Sequence, residues 1–169
     1  VNATHPYLSG QIADQHCYCS TWQRFGNQDI PVCCPDQTNE DTSAKDNHGH
    51  GTNVVAIVAS KNRTYMGVAP NATFYVVKVL NSTNIGAPDS WADIADAIDW
   101  CRINMNVDVI SISIGDNQWH PGGSACPSTS LDIAINNAYD ADIPVIIASG
   151  NNGPVVLPLF TSLTNPAMR

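Results

Sequence analysis

Positive charge is scarce in this chain. Seven Lys and Arg residues, scattered singly, stand against fifteen Asp and Glu, for a net charge of −8 and a pI near 4.7. A surface so poor in cations cannot release many phosphate counterions, which excludes nucleic acid as a partner. Long apolar runs are lacking too. None approaches the roughly 20 residues of a membrane span, so no membrane span is expected. The opening Val1-Asn2-Ala3-Thr4 has neither an initiator Met nor a charged-then-apolar leader, and Val1 reads as a product of processing or truncation. Internal repeats, low-complexity tracts and interdomain linkers are also missing. What is present is a 169-residue chain, 43% hydrophobic and only 13% charged, which suffices for one core and is too short for two ordinary domains.

Six cysteines in so short a chain point to an oxidising, extracellular setting. Cys17, Cys19, Cys33 and Cys34 crowd together, with Cys101 and Cys126 further on. Zinc is the rival reading, with His16 or His48 as added ligands, but C-x-C followed by C-C is not the spacing of a zinc knuckle. Adjacent cysteines rarely bond each other, so Cys33 and Cys34 are expected to reach back to Cys17 and Cys19 in an order the sequence leaves open. Cys101 and Cys126 pair by elimination. Four Asn-x-Thr sequons, at Asn2, Asn62, Asn71 and Asn81, fit a secreted glycoprotein, although a chain rich in Asn, Ser and Thr produces such triplets by chance.

Residues 1–49 read as a cysteine-rich, loop-rich opening. From residue 50 the pattern changes. Residues 50–60 are apolar nearly all round, which predicts a buried helix. A β-branched strand follows at 73–80, then a helix at 90–105 with Ser90 as N-cap and Asp93 three residues on. A strand is expected at 107–114, a helix at 131–141 and a strand at 143–148. This alternation predicts an α/β fold, a parallel β-sheet flanked by helices on both faces, with sites gathering at the carboxyl ends of the strands. Ser113-Ile114-Gly115 and Ser149-Gly150-Asn151-Asn152-Gly153 sit there. The run His48-Gly49-His50-Gly51-Thr52 places an imidazole where an acidic, glycine-lined loop (Asp46, Asn47) becomes the apolar helix. Histidine is the side chain that moves protons near neutral pH.

With these stretches in view, the chain resembles the subtilisin-like serine peptidases. The likeness is carried by His50-Gly51-Thr52-Asn53-Val54; by Met66-Gly67-Val68-Ala69-Pro70 with Val77-Lys78-Val79-Leu80; by Asp108-Val109-Ile110-Ser111-Ile112-Ser113-Ile114-Gly115; and by Ala148-Ser149-Gly150-Asn151. They stand in the family's order and spacing, over about residues 3–169 and most strongly at 46–154. The resemblance implies the central part of a single peptidase domain over residues 1–169, with 1–49 a cysteine-rich loop region, 50–154 the βα core and 155–169 a loop. It implies that His50 is the general base and that Asn151 donates its amide to the oxyanion. Ser113, Ile114 and Gly115 would form the edge on which a peptide lies as an added strand, with Ala148, Ser149 and Gly150 as a pocket wall and Gly86 on the opposite edge. His48, two residues from His50, has no counterpart and is expected to face solvent or pack in its loop.

Two members of the expected triad are missing. The family's nucleophile stands in a Gly-Thr-Ser-Met-Ala type motif, whereas the only Gly-Thr here is Gly51-Thr52; nor is there a G-x-S-x-G elbow. The resemblance puts the serine beyond Arg169 and the aspartate about three residues before Val1; Asp14, Asp29, Asp36, Asp41 and Asp46 align less well. This segment alone should therefore be inactive. Asn53 replaces the family's second histidine, and the turn Ser60–Met66 is shorter than many relatives' calcium loop and has no carboxylate, so no calcium site is recognisable and no cofactor or metal is expected. The leading expectation is a secreted endopeptidase cleaving peptide or protein substrates through an acyl-enzyme, completed by the remaining segments of its domain. The alternatives are a non-catalytic module of the same fold in an extracellular assembly and a metal-binding Cys/His module.

Overall fold

The computed structural model describes residues 1–19, 33–84, 86, 90–115 and 129–148. The chain divides into two compact units, Val1–Ala97 and Ile98–Arg169. In the first, strand β1 (Ile12–Tyr18) runs between β2 (Glu40–Asp41) and β3 (Phe74–Lys78). β1 and β3 are parallel, from Ile12 opposite Phe74 to Cys17 opposite Lys78, and helix α1 (His50–Ala59) lies between them in the chain. β2 adds antiparallel pairing at Cys17–Asp41 and Tyr18–Glu40. β1 corrects the reading of residues 1–49 as loop. Ile-Ala-Asp-Gln-His-Cys-Tyr shows no period-two alternation of polarity, and its strand form comes from backbone pairing on both edges rather than from local propensity.

The cysteine cluster forms two nested disulfides, Cys17–Cys34 and Cys19–Cys33, with Cα separations of 5.8 and 5.5 Å. All four cysteines are buried together. Both late cysteines do reach back to both early ones, and no thiolate remains among them for zinc.

Helix α1 is built from β-branched residues that propensity alone disfavours, and burial stabilises it. Val55 and Ala59 pack with Leu8, Ala44 and Val76, while Val1, Ile12, Ala56, Val58 and Phe74 border that cluster. Ile57 on the opposite face is 70% exposed within this chain, so the described residues cover one face of the helix. At its C-terminal end the chain folds back on it, with the Gly67, Val68 and Ala69 amides donating to the Ser60, Ile57 and Val58 carbonyls. A Cβ on Gly67 would stand 2.5 Å from the backbone nitrogens of Ala59 and Ser60, so only glycine fits this return.

Helix α2 (Ser90–Asp99) continues directly into a π-helical segment, Trp100–Met105, closed by Asn106 in the left-handed region with its amide on the Cys101 carbonyl. The second unit holds β4 (Ile110–Ile112) and β5 (Val145–Ile147), paired in parallel from Ile110–Val145 to Ile112–Ile147. Between them in sequence lies helix α3 (Thr129–Asp140), whose buried Leu131, Ala134, Ile135 and Ala138 mark one helical face. Every strand and helix expected after residue 50 is present, the strands shorter than expected and distributed over two sheets, β2-β1-β3 and β4-β5.

Candidate active site

His50 is the first residue of α1 and is half-buried. The preceding Gly49 caps the helix at φ 103°, a left-handed conformation that a side chain would oppose. No side chain of the cap residue itself holds the helix start. Asp46 does so instead. Its Oδ1 accepts from the His48 and Gly49 amides at 2.9 and 2.6 Å, and its Oδ2 from the Thr52 amide and hydroxyl at 2.9 and 2.6 Å. Partial burial raises the carboxyl, but the Thr52 hydroxyl and the Gly49, His48 and Thr52 amides together outweigh it and hold Asp46 well below the usual carboxylate range. Thr52 Oγ1 also accepts from the Asn2 amide at 2.8 Å, so the chain entering at Val1–Asn2 lies against the first turn of α1. Below this loop the Lys78 ammonium donates to Asn47 Oδ1 at 3.1 Å. Burial lowers the lysine pKa from its ordinary value, while the Asp46 charge opposes that shift. His48 is exposed, as expected.

In the second unit the two parallel strands bring their carboxyl ends side by side, and the Ala148 amide donates to the Ile112 carbonyl at 3.0 Å. Ser113, Ile114 and Gly115 follow β4 in the chain directly after the residue that Ala148 bonds. Gly86 lies against the start of α2, where a Cβ would meet Ser90 Oγ at 2.5 Å. Asn151, Ser149 and Gly150 fall outside the described residues, as do Cys126 and Asp29.

Cys101 is a free thiol, buried in the π-helical segment. This corrects the pairing by elimination with Cys126. Burial pushes its thiol up to about 11, which keeps it protonated and unreactive. The sequon residues Asn2, Asn62 and Asn81 each accept at Oδ1 from the amide of the Thr two residues on, and Asn71 is exposed. In the turn Ser60–Met66, Ser60 Oγ and Asn62 Oδ1 accept amides of the turn itself. Among the described residues no three His, Cys, Asp or Glu side chains converge as a metal site. No described helix is long and apolar enough to cross a membrane.

Asp46 is the residue the sequence undervalued. The sequence shows it as part of the acidic loop before His50 and as an ill-aligned rival for the triad acid, because a carboxylate that binds amides on both sides of a histidine follows no capping-box spacing.

The model of the subtilase family matches residues 1–168, and the chain belongs to that family. Among its relatives, subtilisin DY of Bacillus licheniformis is 40% identical over 110 residues, covering 64% of this chain and 36% of that protein. A thermostable alkaline protease of Halalkalibacterium halodurans is 38% identical over 117 residues, covering 68% of this chain and 29% of that protein. The solved structure of Sphericase superposes with a TM-score of 0.62 at 25% identity, over 90% of this chain and 43% of that one. The fold is therefore subtilisin-like and incomplete, and the chain spans well under half the length of each of these relatives.

Proposed function

We propose that this chain is the central part of a single secreted peptidase domain that cleaves peptide bonds through an acyl-enzyme. The reading rests chiefly on one observation. His50 opens a helix whose first turn is touched by the segment Val1–Asn2, which is where the family resemblance expects the strand end that carries the triad carboxylate. In this reading His50 takes the proton of a serine hydroxyl contributed by sequence beyond Arg169, and that oxygen attacks the scissile carbonyl. The oxyanion accepts from the Asn151 amide. His50 then returns the proton to the leaving amine, and water resolves the ester by the same exchange. The joined ends of β4 and β5 support the peptide: Ser113–Gly115 offers backbone to an extended substrate, and Ala148 begins the pocket wall continued by Ser149 and Gly150. The family resemblance assigns Gly86 to the opposite edge. The disulfides and the sequons at Asn2, Asn62, Asn71 and Asn81 fit a secreted glycoprotein.

The test is labelling of the full-length protein by a fluorophosphonate probe. The parent should label at one serine, and His50→Ala should abolish labelling while far-UV circular dichroism stays unchanged. Labelling that persists in His50→Ala would assign the base elsewhere. A parent that neither labels nor cleaves a casein substrate would support the non-catalytic module.

A further inference from the structure

We infer that Asp46 is the positioning residue for the base: its carboxylate ties the loop before His50 to the helical turn after it and thereby fixes where the imidazole stands. The inference rests on the reading of His50 as the general base. His50 has glycine on both sides, Gly49 and Gly51, and glycine is the residue that restricts its backbone least. Local sequence thus supplies no stiffness at the point where a proton-transferring group needs it most. The carboxylate supplies it from outside. Oδ1 grips the two amides immediately before His50, and Oδ2 grips the amide and hydroxyl of the residue two positions after it. The histidine backbone is held between these two points. Thr52 is fixed in turn by the Asn2 amide, and Asn47, beside Asp46, is held by Lys78 at the end of β3, so the clamp is anchored to the sheet. A catalytic group displaced by about 1 Å loses up to roughly a hundredfold in rate, which makes such a clamp consequential for turnover and not for folding alone.

The experiment uses the full-length protein. It compares turnover per fluorophosphonate-titrated site, after labelling to completion, with KM for a short peptide substrate. Asp46→Ala should lower turnover per site by at least about tenfold with KM within about twofold. Asp46→Asn keeps an oxygen for the His48 and Gly49 amides and should recover most of that loss. Thr52→Val, which removes one of the four bonds together with the acceptor of the Asn2 amide, should lower turnover per site by about two- to fivefold and serves if Asp46→Ala does not fold. Asp36→Ala, which removes a carboxylate holding the Thr38 amide and hydroxyl, is the matched control and should change neither quantity. If Asp46→Ala or Thr52→Val only reduces the number of titratable sites, and each surviving site turns over at the parent rate, Asp46 is purely structural and the inference is overturned. His50→Ala, measured alongside, separates the two readings. If it retains turnover the assignment of the base fails, whereas an inactive His50→Ala with normal per-site turnover in the Asp46 and Thr52 variants sinks the clamp alone.

Discussion

A carboxylate that accepts four hydrogen bonds is a group whose ionisation is coupled to the fold. Asp46 is held below its ordinary range, so its contribution to stability is complete above about pH 5, where the unfolded carboxyl is almost fully ionised. It is lost as pH falls further toward the folded value. Asp46→Asn should therefore be less stable than the parent at pH 7, and the gap in denaturation midpoint should narrow at pH 3. A gap of constant size would show that the charge of Asp46 plays no part. Cys101 gives a second residue-scale prediction. With its thiol buried and pushed up to about 11, it should resist iodoacetamide at pH 8 in the native protein and react on unfolding, as read by peptide mass. If Asn151 donates to the oxyanion, Asn151→Ala should lower kcat by about a hundredfold or more with little change in KM.

At the scale of elements, the close return of Gly67 over the end of α1 makes a sharp prediction. Gly67→Ala drives a methyl into backbone rather than into a movable side chain and should destabilise by about 1–3 kcal/mol, seen as a lowered melting temperature of the full-length protein. The nested disulfides should behave non-additively. Each closes nearly the same stretch of chain, so replacing one pair by alanine leaves most of the loop entropy still constrained by the other, while removing both should cost about 3 kcal/mol. The elements differ in how far the sequence disclosed them. Helices α1, α2 and α3 and strands β3, β4 and β5 were legible because each carries its own apolar period or β-branched run. β1 was not, because its strand form depends on two partners distant in sequence. For the candidate site, motif and strand pattern suffice to put His50 at a helix start and Ser113 after β4, whereas the hydrogen bonds of Asp46 form only in the folded loop.

At the scale of the whole molecule, family membership covers residues 1–168, yet the chain accounts for 29% and 36% of the two bacterial proteases compared with it. If His50 and Asn151 act as proposed, with a serine supplied by other polypeptide, the 169-residue chain alone has no covalent route and should show neither fluorophosphonate labelling nor casein hydrolysis. The paired bridges have a different consequence for a protein that would live among peptidases. A cut anywhere between Cys19 and Cys33 leaves the two pieces sewn together twice, by Cys17–Cys34 and Cys19–Cys33. A molecule nicked there would migrate intact on a non-reducing gel and separate only after thiol treatment, so a single cleavage between the bridged cysteines would not release either piece.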